Sequence, residues 1–124
     1  MNIVDSSGWL EHFADGPNAP NFSPVIQKSD QLLVPSITIT EVFKRILQQR
    51  DEPAALQAAA HMMQGDVVEL DAELALKAAR IGFDLKIPLA DSIILATARR
   101  HNATLWTQDE DFKGIPGVRY IPKR

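Results

Sequence analysis

Asn2-Ile3-Val4-Asp5-Ser6-Ser7 reads as a strand handing over to a helix. It has an apolar pair suited to a short buried strand, a carboxylate at its end, and Ser6 or Ser7 as cap of a helix striped by Trp9, Leu10 and Phe13. The same order recurs down the chain. Leu32 to Val34 is a second strand, and after Pro35 a helix carries Val42, Phe43, Ile46 and Leu47 on one face, with Glu41 in its first turns. Pro53 suits the first position of a helix over Ala54 to Gln64, which Gly65 ends. Val67 to Leu70 is a third strand, and Asp71 caps a helix carrying Leu74, Ala78, Ile81 and Leu85. Pro88 marks the next boundary, before a helix over Leu89 to Asn102 with Ile93, Ile94, Ala96, Thr97 and Ala98 facing inward. Thr104 to Thr107 and Val118 to Ile121 supply a fourth and a fifth strand. Asp15 to Pro24, with Gly16, Pro17, Pro20 and Pro24, reads as a loop leading into a short helix over Val25 to Lys28. Strands that alternate with helices predict an α/β fold, a short parallel sheet covered by helices on both faces.

The bulk numbers agree with one globular domain. At 124 residues, 45% hydrophobic and 23% charged, the chain carries enough apolar surface for a core. No apolar run approaches the roughly 18 residues of a membrane span, and Met1 to Asp5 lacks the basic start of a signal peptide, so a cytoplasmic protein with no membrane partner is expected. With no cysteine, disulfides, zinc ribbons and thiol catalysis are excluded, and any metal must be held by oxygen or by His12, His61 or His101. The three histidines occupy helical positions expected to be solvated.

Asp5, Glu41, Asp91 and Asp109 all fall where a strand ends or a helix has just begun. In a parallel sheet these positions converge on one edge. At about 4 to 5 Å and an effective dielectric of about 20, each pair of like charges costs roughly 3 to 4 kcal/mol. A divalent cation is the simplest compensation. Each acid also has an ordinary reading: a turn residue at Asp5, an ion pair of Glu41 with Lys44 or Arg45, a helix-dipole contact at Asp91 and an Asx turn at Asp109. Those readings do not account for all four sharing an edge.

The surroundings of the acids carry a resemblance. Asn2 to Ser7, Val34-Pro35-Ser36-Ile37-Thr38-Ile39-Thr40-Glu41-Val42, Leu89 to Ala98 and Leu105-Trp106-Thr107-Gln108-Asp109-Glu110-Asp111-Phe112 resemble the four motifs of PIN domains, in order and with similar spacing. In detail the chain is similar to the VapC-type toxins of toxin-antitoxin pairs. The resemblance implies a PIN-like three-layer sandwich over residues 1–124 and a metal-dependent endoribonuclease. It implies Asp5, Glu41, Asp91 and Asp109 as ligands of Mg²⁺ or Mn²⁺ and as the catalytic set. Ser6 and Thr107 match supporting hydroxyls, and Asp111 a supporting carboxylate. It further implies an RNA substrate, a cognate antitoxin and a homodimer. One departure is visible: where relatives often carry a glycine after the second acid, this chain has Lys44 and Arg45.

Two rivals have the same length. A phospho-receiver signalling domain also pairs a parallel sheet with an acidic Mg²⁺ pocket, but it needs a phosphorylatable Asp after its third strand and a Lys after its fifth. Here those places read Leu70-Asp71, which starts a helix, and Ile121-Pro122. A catalytically silent PIN scaffold that binds RNA or a partner is the other. The net charge of −3 runs against a nucleic-acid partner until the four acids are neutralised by metal. Lys44, Arg45, Arg50, Arg99, Arg100 and Lys113 are the available phosphate contacts, and exposed apolar side chains for a protein partner are expected on the helix from Trp9 to Phe13.

Overall fold

Five strands form one parallel sheet in the order β3-β2-β1-β4-β5, in a computed structural model that describes residues 1–124. The strands are β1 (Asn2–Val4), β2 (Leu32–Pro35), β3 (Asp66–Val68), β4 (Thr104–Thr107) and β5 (Val118–Tyr120). The helices are α1 (Ser6–Phe13), α2 (Ala19–Gln27), α3 (Ser36–Gln49), α4 (Glu52–Met62), α5 (Ala72–Leu85) and α6 (Leu89–Arg100). Register pairs Ile3 with Leu33 on one side and with Leu105 on the other. Because side chains alternate along a strand, Ile3, Leu33 and Leu105 share one face and Val4, Leu32 and Val34 the other. The second face packs against Trp9, Phe22, Val42, Ala58 and Met62 of α1 to α4. The first packs against Ile94, Leu95 and Ala98 of α6, whose outer side, Ile93 and Ala96, receives Leu74 and Ala78 of α5. This is the three-layer α/β sandwich expected.

From β1 the chain steps outward to β2 and β3 over the α1–α4 face. It then returns across the opposite face through α5 and α6 to β4, as right-handed crossovers require. The order reverses between β1 and β4, and ligands of open α/β sheets bind in the crevice beyond the strand ends at that point. The order also differs from the 2-1-3-4-5 of receiver-type sheets, so the receiver reading is not favoured.

Four expectations change. The cap of α1 is neither Ser6 nor Ser7 but Asp5, whose side chain accepts from the Gly8 amide, because a carboxylate in extended backbone before the first turn satisfies that orphan donor. The helix expected only over Val25 to Lys28 begins instead at Ala19 and runs to Gln27, taking in residues 19–24 that were expected to be loop. Pro20 sits in the first turn, where its missing N–H costs nothing, and burial of Phe22, Val25 and Ile26 outweighs the bond lost at Pro24. α4 starts earlier, at Glu52, because Asp51 caps it. The apolar surface expected on α1 is reduced: Trp9 is 1% exposed, and only Leu10 and Phe13, both half-buried, reach the surface along a groove. The most exposed large apolar side chains are Leu76, Phe83 and Leu89.

Candidate metal centre

The crevice between β1 and β4 gathers the acids. Asp5 ends β1 and is 2% exposed. Its amide donates to the Trp106 carbonyl, which sets Asp5 beside Thr107 at the end of β4. Thr107 donates to Asp5 Oδ2 at 2.8 Å, and its hydroxyl oxygen accepts the Asp109 amide at 2.9 Å. One buried hydroxyl thus holds two acids of neighbouring strands in a fixed relation. Ser7 donates to Asp5 Oδ1 at 2.7 Å, and Ser6 donates to Glu41 Oε1, tying the start of α1 to α3. Asp109 caps a 3-10 turn over Glu110–Phe112 by accepting the Asp111 amide at 2.9 Å. Gly8 makes the close fit of α1 on β1 feasible, since a Cβ there would stand 2.5 Å from Val4 Cγ1.

Asp91, in the first turn of α6, is 8% exposed, and its Oδ2 is buried without a partner. Carboxylate oxygens of Asp91, Asp109 and Asp111 all lie within 4.8 Å of one another. Asp111, expected only in a supporting role, therefore belongs to the tightest trio, while Asp5 and Glu41 lie outside it. The field nevertheless joins all five. Burial, then the charges of Asp109, Asp5, Asp111 and Glu41, pushes Asp91 up to about 7. Burial pushes Asp5 up to about 6 against the hydrogen bonds from Ser7, Thr107 and Gly8. None of the three ion pairs in the molecule reaches any of these acids.

An unpartnered buried carboxylate oxygen, an all-oxygen donor set and uncompensated negative charge suit a hard divalent cation such as Mg²⁺ or Mn²⁺. The trio of Asp91, Asp109 and Asp111 is the readiest holder, with Asp5 and Glu41 on its border. Ser7, read only as a possible helix cap, and Gln108, read only as part of a motif, were not expected to support the site. Gln108 donates its amide to Ser7 Oγ at 3.2 Å, closing the gap between α1 and β4. With Asp5 recognised as the cap, both serines occupy the first turn, and that was the signal available. His12 is half-buried among Trp9, Phe13 and His61, where burial, then His61, lowers its pKa, and it is remote from the acids' hydrogen bonds.

Thr107→Val tests this framework. It removes a donor to Asp5 and an acceptor for the Asp109 amide in a fully buried place, so a loss of about 2 to 4 kcal/mol in thermal or denaturant melts is expected. A variant as stable as the wild type would mean that the hydroxyl does not hold the two acids.

A three-layer α/β sandwich with carboxylates at its topological switch point defines a class of acidic-edged, metal-fitting domains. The chain belongs to the PIN domain family, whose model matches residues 3–118. Among solved structures it is similar to a toxin-antitoxin complex from Klebsiella pneumoniae, at 25% identity and a TM-score of 0.78 over 98% of this chain and 100% of that one. It shares the fold of a sarcin-ricin-loop-cleaving VapC toxin from Mycobacterium tuberculosis, at 17% identity and a TM-score of 0.77 over 94% and 95% of the two chains. The same holds for the DNA-bound VapBC of Salmonella typhimurium, at 17% identity and 0.77 over 98% of each. No curated protein matches significantly.

Proposed function

We propose that this chain is a metal-dependent endoribonuclease acting in the cytoplasm as the toxin of a toxin-antitoxin pair, with residues 1–124 as one catalytic domain. The observation that carries the reading is the switch-point crevice, where Asp91, Asp109 and Asp111 meet, with the charges of Asp5 and Glu41 beside them, without a cationic partner and with Asp91 Oδ2 unsatisfied. A divalent cation there supplies Lewis-acid activation of water and neutralises charge on a phosphodiester. The chain's own part is positional. Asp91, Asp109 and Asp111 offer the oxygens, Asp5 and Glu41 extend the negative wall, and Thr107, Ser6 and Ser7 orient those walls by hydrogen bonds. Purified protein freed of any partner is expected to cut RNA with Mg²⁺ or Mn²⁺ and to stop with EDTA. Cleavage continuing at full rate in EDTA would end this mechanism, and no cleavage under any metal would favour a silent scaffold.

The toxin assignment rests on the likeness to the Klebsiella pneumoniae toxin-antitoxin complex and to VapC and VapBC structures. Expression alone should arrest growth, and co-expression of a cognate antitoxin should relieve it. Unimpeded growth with abundant soluble wild-type protein would remove the toxin role.

A homodimer accompanies this reading. Leu76 and Phe83, seven residues apart on α5 and so on one face, are 75% and 76% exposed, and Leu89 at the start of α6 is 75% exposed. A two-fold axis through this patch would bury it against itself. Leu76→Asp with Phe83→Asp should shift the mass measured by light scattering from dimer to monomer. An unchanged dimer would place the interface elsewhere.

A further inference from the structure

A groove of about 610 Å³ opens beside the acids, between α1, α3, α4 and the C-terminal segment. Ser7 and Gln108 form the end nearest the acids: Ser7 donates to Asp5, and Gln108 sits between Thr107 and Asp109. Arg45, Arg50 and Lys123, all exposed and none in an ion pair, share the rest of the lining with His61, neutral glutamines and an apolar strip of Leu10, Phe13, Ile46 and Ala58. The one carboxylate on the wall, Glu11, accepts the Asn18 amide at 2.7 Å and the Gln108 side chain at 3.4 Å, so it is turned to the protein's own donors. In a chain of net charge −3, three free cations gathered on one groove set up a local field that attracts an anionic occupant. The other basic candidates are engaged or elsewhere: Arg100 pairs with Asp71 at 2.9 Å, Lys113 lies 5.9 Å over the Tyr120 ring, and Lys44 and Arg99 do not line the groove.

The cations also have a direction. Along α3, Arg45 lies about 6 Å and Arg50 about 14 Å beyond Glu41, at 1.5 Å per residue. They therefore lead away from the acids over the length of a few nucleotides. Phe13, half-buried, also lines the wall, with one face of its ring stacked on Trp9 at 5.7 Å and the other side left for a ligand. A basic track with an aromatic face is what a single strand needs, since phosphates take the cations and a base stacks on the ring.

Building on the nuclease reading, we propose that this groove holds the single-stranded RNA flanking the scissile phosphate, with Arg45, Arg50 and Lys123 on its phosphates and Phe13 against a base.

The test is fluorescence anisotropy with a labelled single-stranded RNA decamer in Ca²⁺, on wild-type protein freed of partner, from about 50 to about 200 mM salt. Arg45→Ala with Arg50→Ala and Lys123→Ala should weaken binding at least about tenfold and flatten the plot of log K against log salt by about 2, since each phosphate contact to a single strand contributes about 0.7. Arg45→Lys with Arg50→Lys should keep the wild-type slope. Lys77→Ala with Arg80→Ala, cations paired on α5, should change neither quantity. Circular dichroism on each variant separates these effects from unfolding. A triple variant that keeps the wild-type affinity and slope overturns the proposal even if the wild type cuts RNA, and assigns the groove to a protein segment. Wild-type protein that does not bind the RNA at low salt overturns it too. The expected loss of binding, in a protein that cuts no RNA with Mg²⁺ or Mn²⁺, would support the groove and sink the nuclease reading instead.

Discussion

Asp91→Asn is expected to lower RNA cleavage at saturating Mg²⁺ or Mn²⁺ by at least about a hundredfold, the scale on which a preorganised charged group acts at a reacting centre. Asp91 holds the one unpartnered buried carboxylate oxygen of the crevice and feels the charges of Asp109, Asp5, Asp111 and Glu41. An amide keeps the shape and removes both the charge and one acceptor oxygen. Asp5→Asn, Glu41→Gln and Asp109→Asn should fall steeply as well. Asp111→Asn joins them because its carboxylate lies within the 4.8 Å trio, nearer the centre than the supporting place expected of it. His101→Ala, an exposed change beyond α6, should retain wild-type rates. Initial rates on a labelled RNA, with circular dichroism to verify folding, decide each case. A fully active Asp91→Asn takes that residue out of the site.

Without metal, the wild-type protein should lose stability as pH rises from about 4 to about 7. Asp91 and Asp5 have folded pKa values near 7 and 6 against an ordinary 3.8, so the folded state binds protons more tightly than the unfolded chain. Their contribution is fully present below the unfolded value. It declines through the interval up to the folded ones, as the buried carboxyls are forced to ionise. At neutral pH the deficit from Asp91 amounts to roughly 2 to 4 kcal/mol, the lower figure allowing for solvent at the mouth of the crevice. Asp91→Asn should therefore melt, in EDTA at pH 7, at a temperature equal to or above that of the wild type. Mn²⁺ should reverse the order: a ligand at a hundredfold excess over Kd stabilises by about 2.7 kcal/mol, and only the wild type has the full donor set. Paired melts at pH 5 and pH 7, with EDTA and with Mn²⁺, test both statements. An apo variant clearly less stable than apo wild type that still shows the full metal increment would make Asp91 a structural residue.

Much of the fold was legible because strand and helix periods are local properties. Ile3-Val4, Leu32 to Val34 and Thr104 to Thr107 are short apolar runs bounded by helix starts, and Leu74, Ala78, Ile93 and Ala96 recur at helical spacing. The first two-thirds of α2, Ala19 to Pro24, was not legible. Its prolines are local breakers, and only the burial of Phe22, Val25 and Ile26 against the sheet makes a helix the better state there. The acids stood out for the same local reason as the strands, each being placed at a strand end or in an early turn of a helix. How near they come to one another was hidden.

By itself, then, the sequence determined the alternation of strands and helices, the three-layer class and the presence of carboxylates along one sheet edge. Hydrophobic period and strand-end position are written within a few residues of each site. Only the tertiary structure decided the rest. Strand order set the crevice between β1 and β4, and the Thr107 hydroxyl tied Asp5 to Asp109 across a separation of 102 residues in one of its bonds. Asp111 joined Asp91 and Asp109, and Arg45, Arg50 and Lys123 met along one groove. These are long-range distances, set by crossover handedness and by how closely helices pack on the sheet, and no local pattern encodes them.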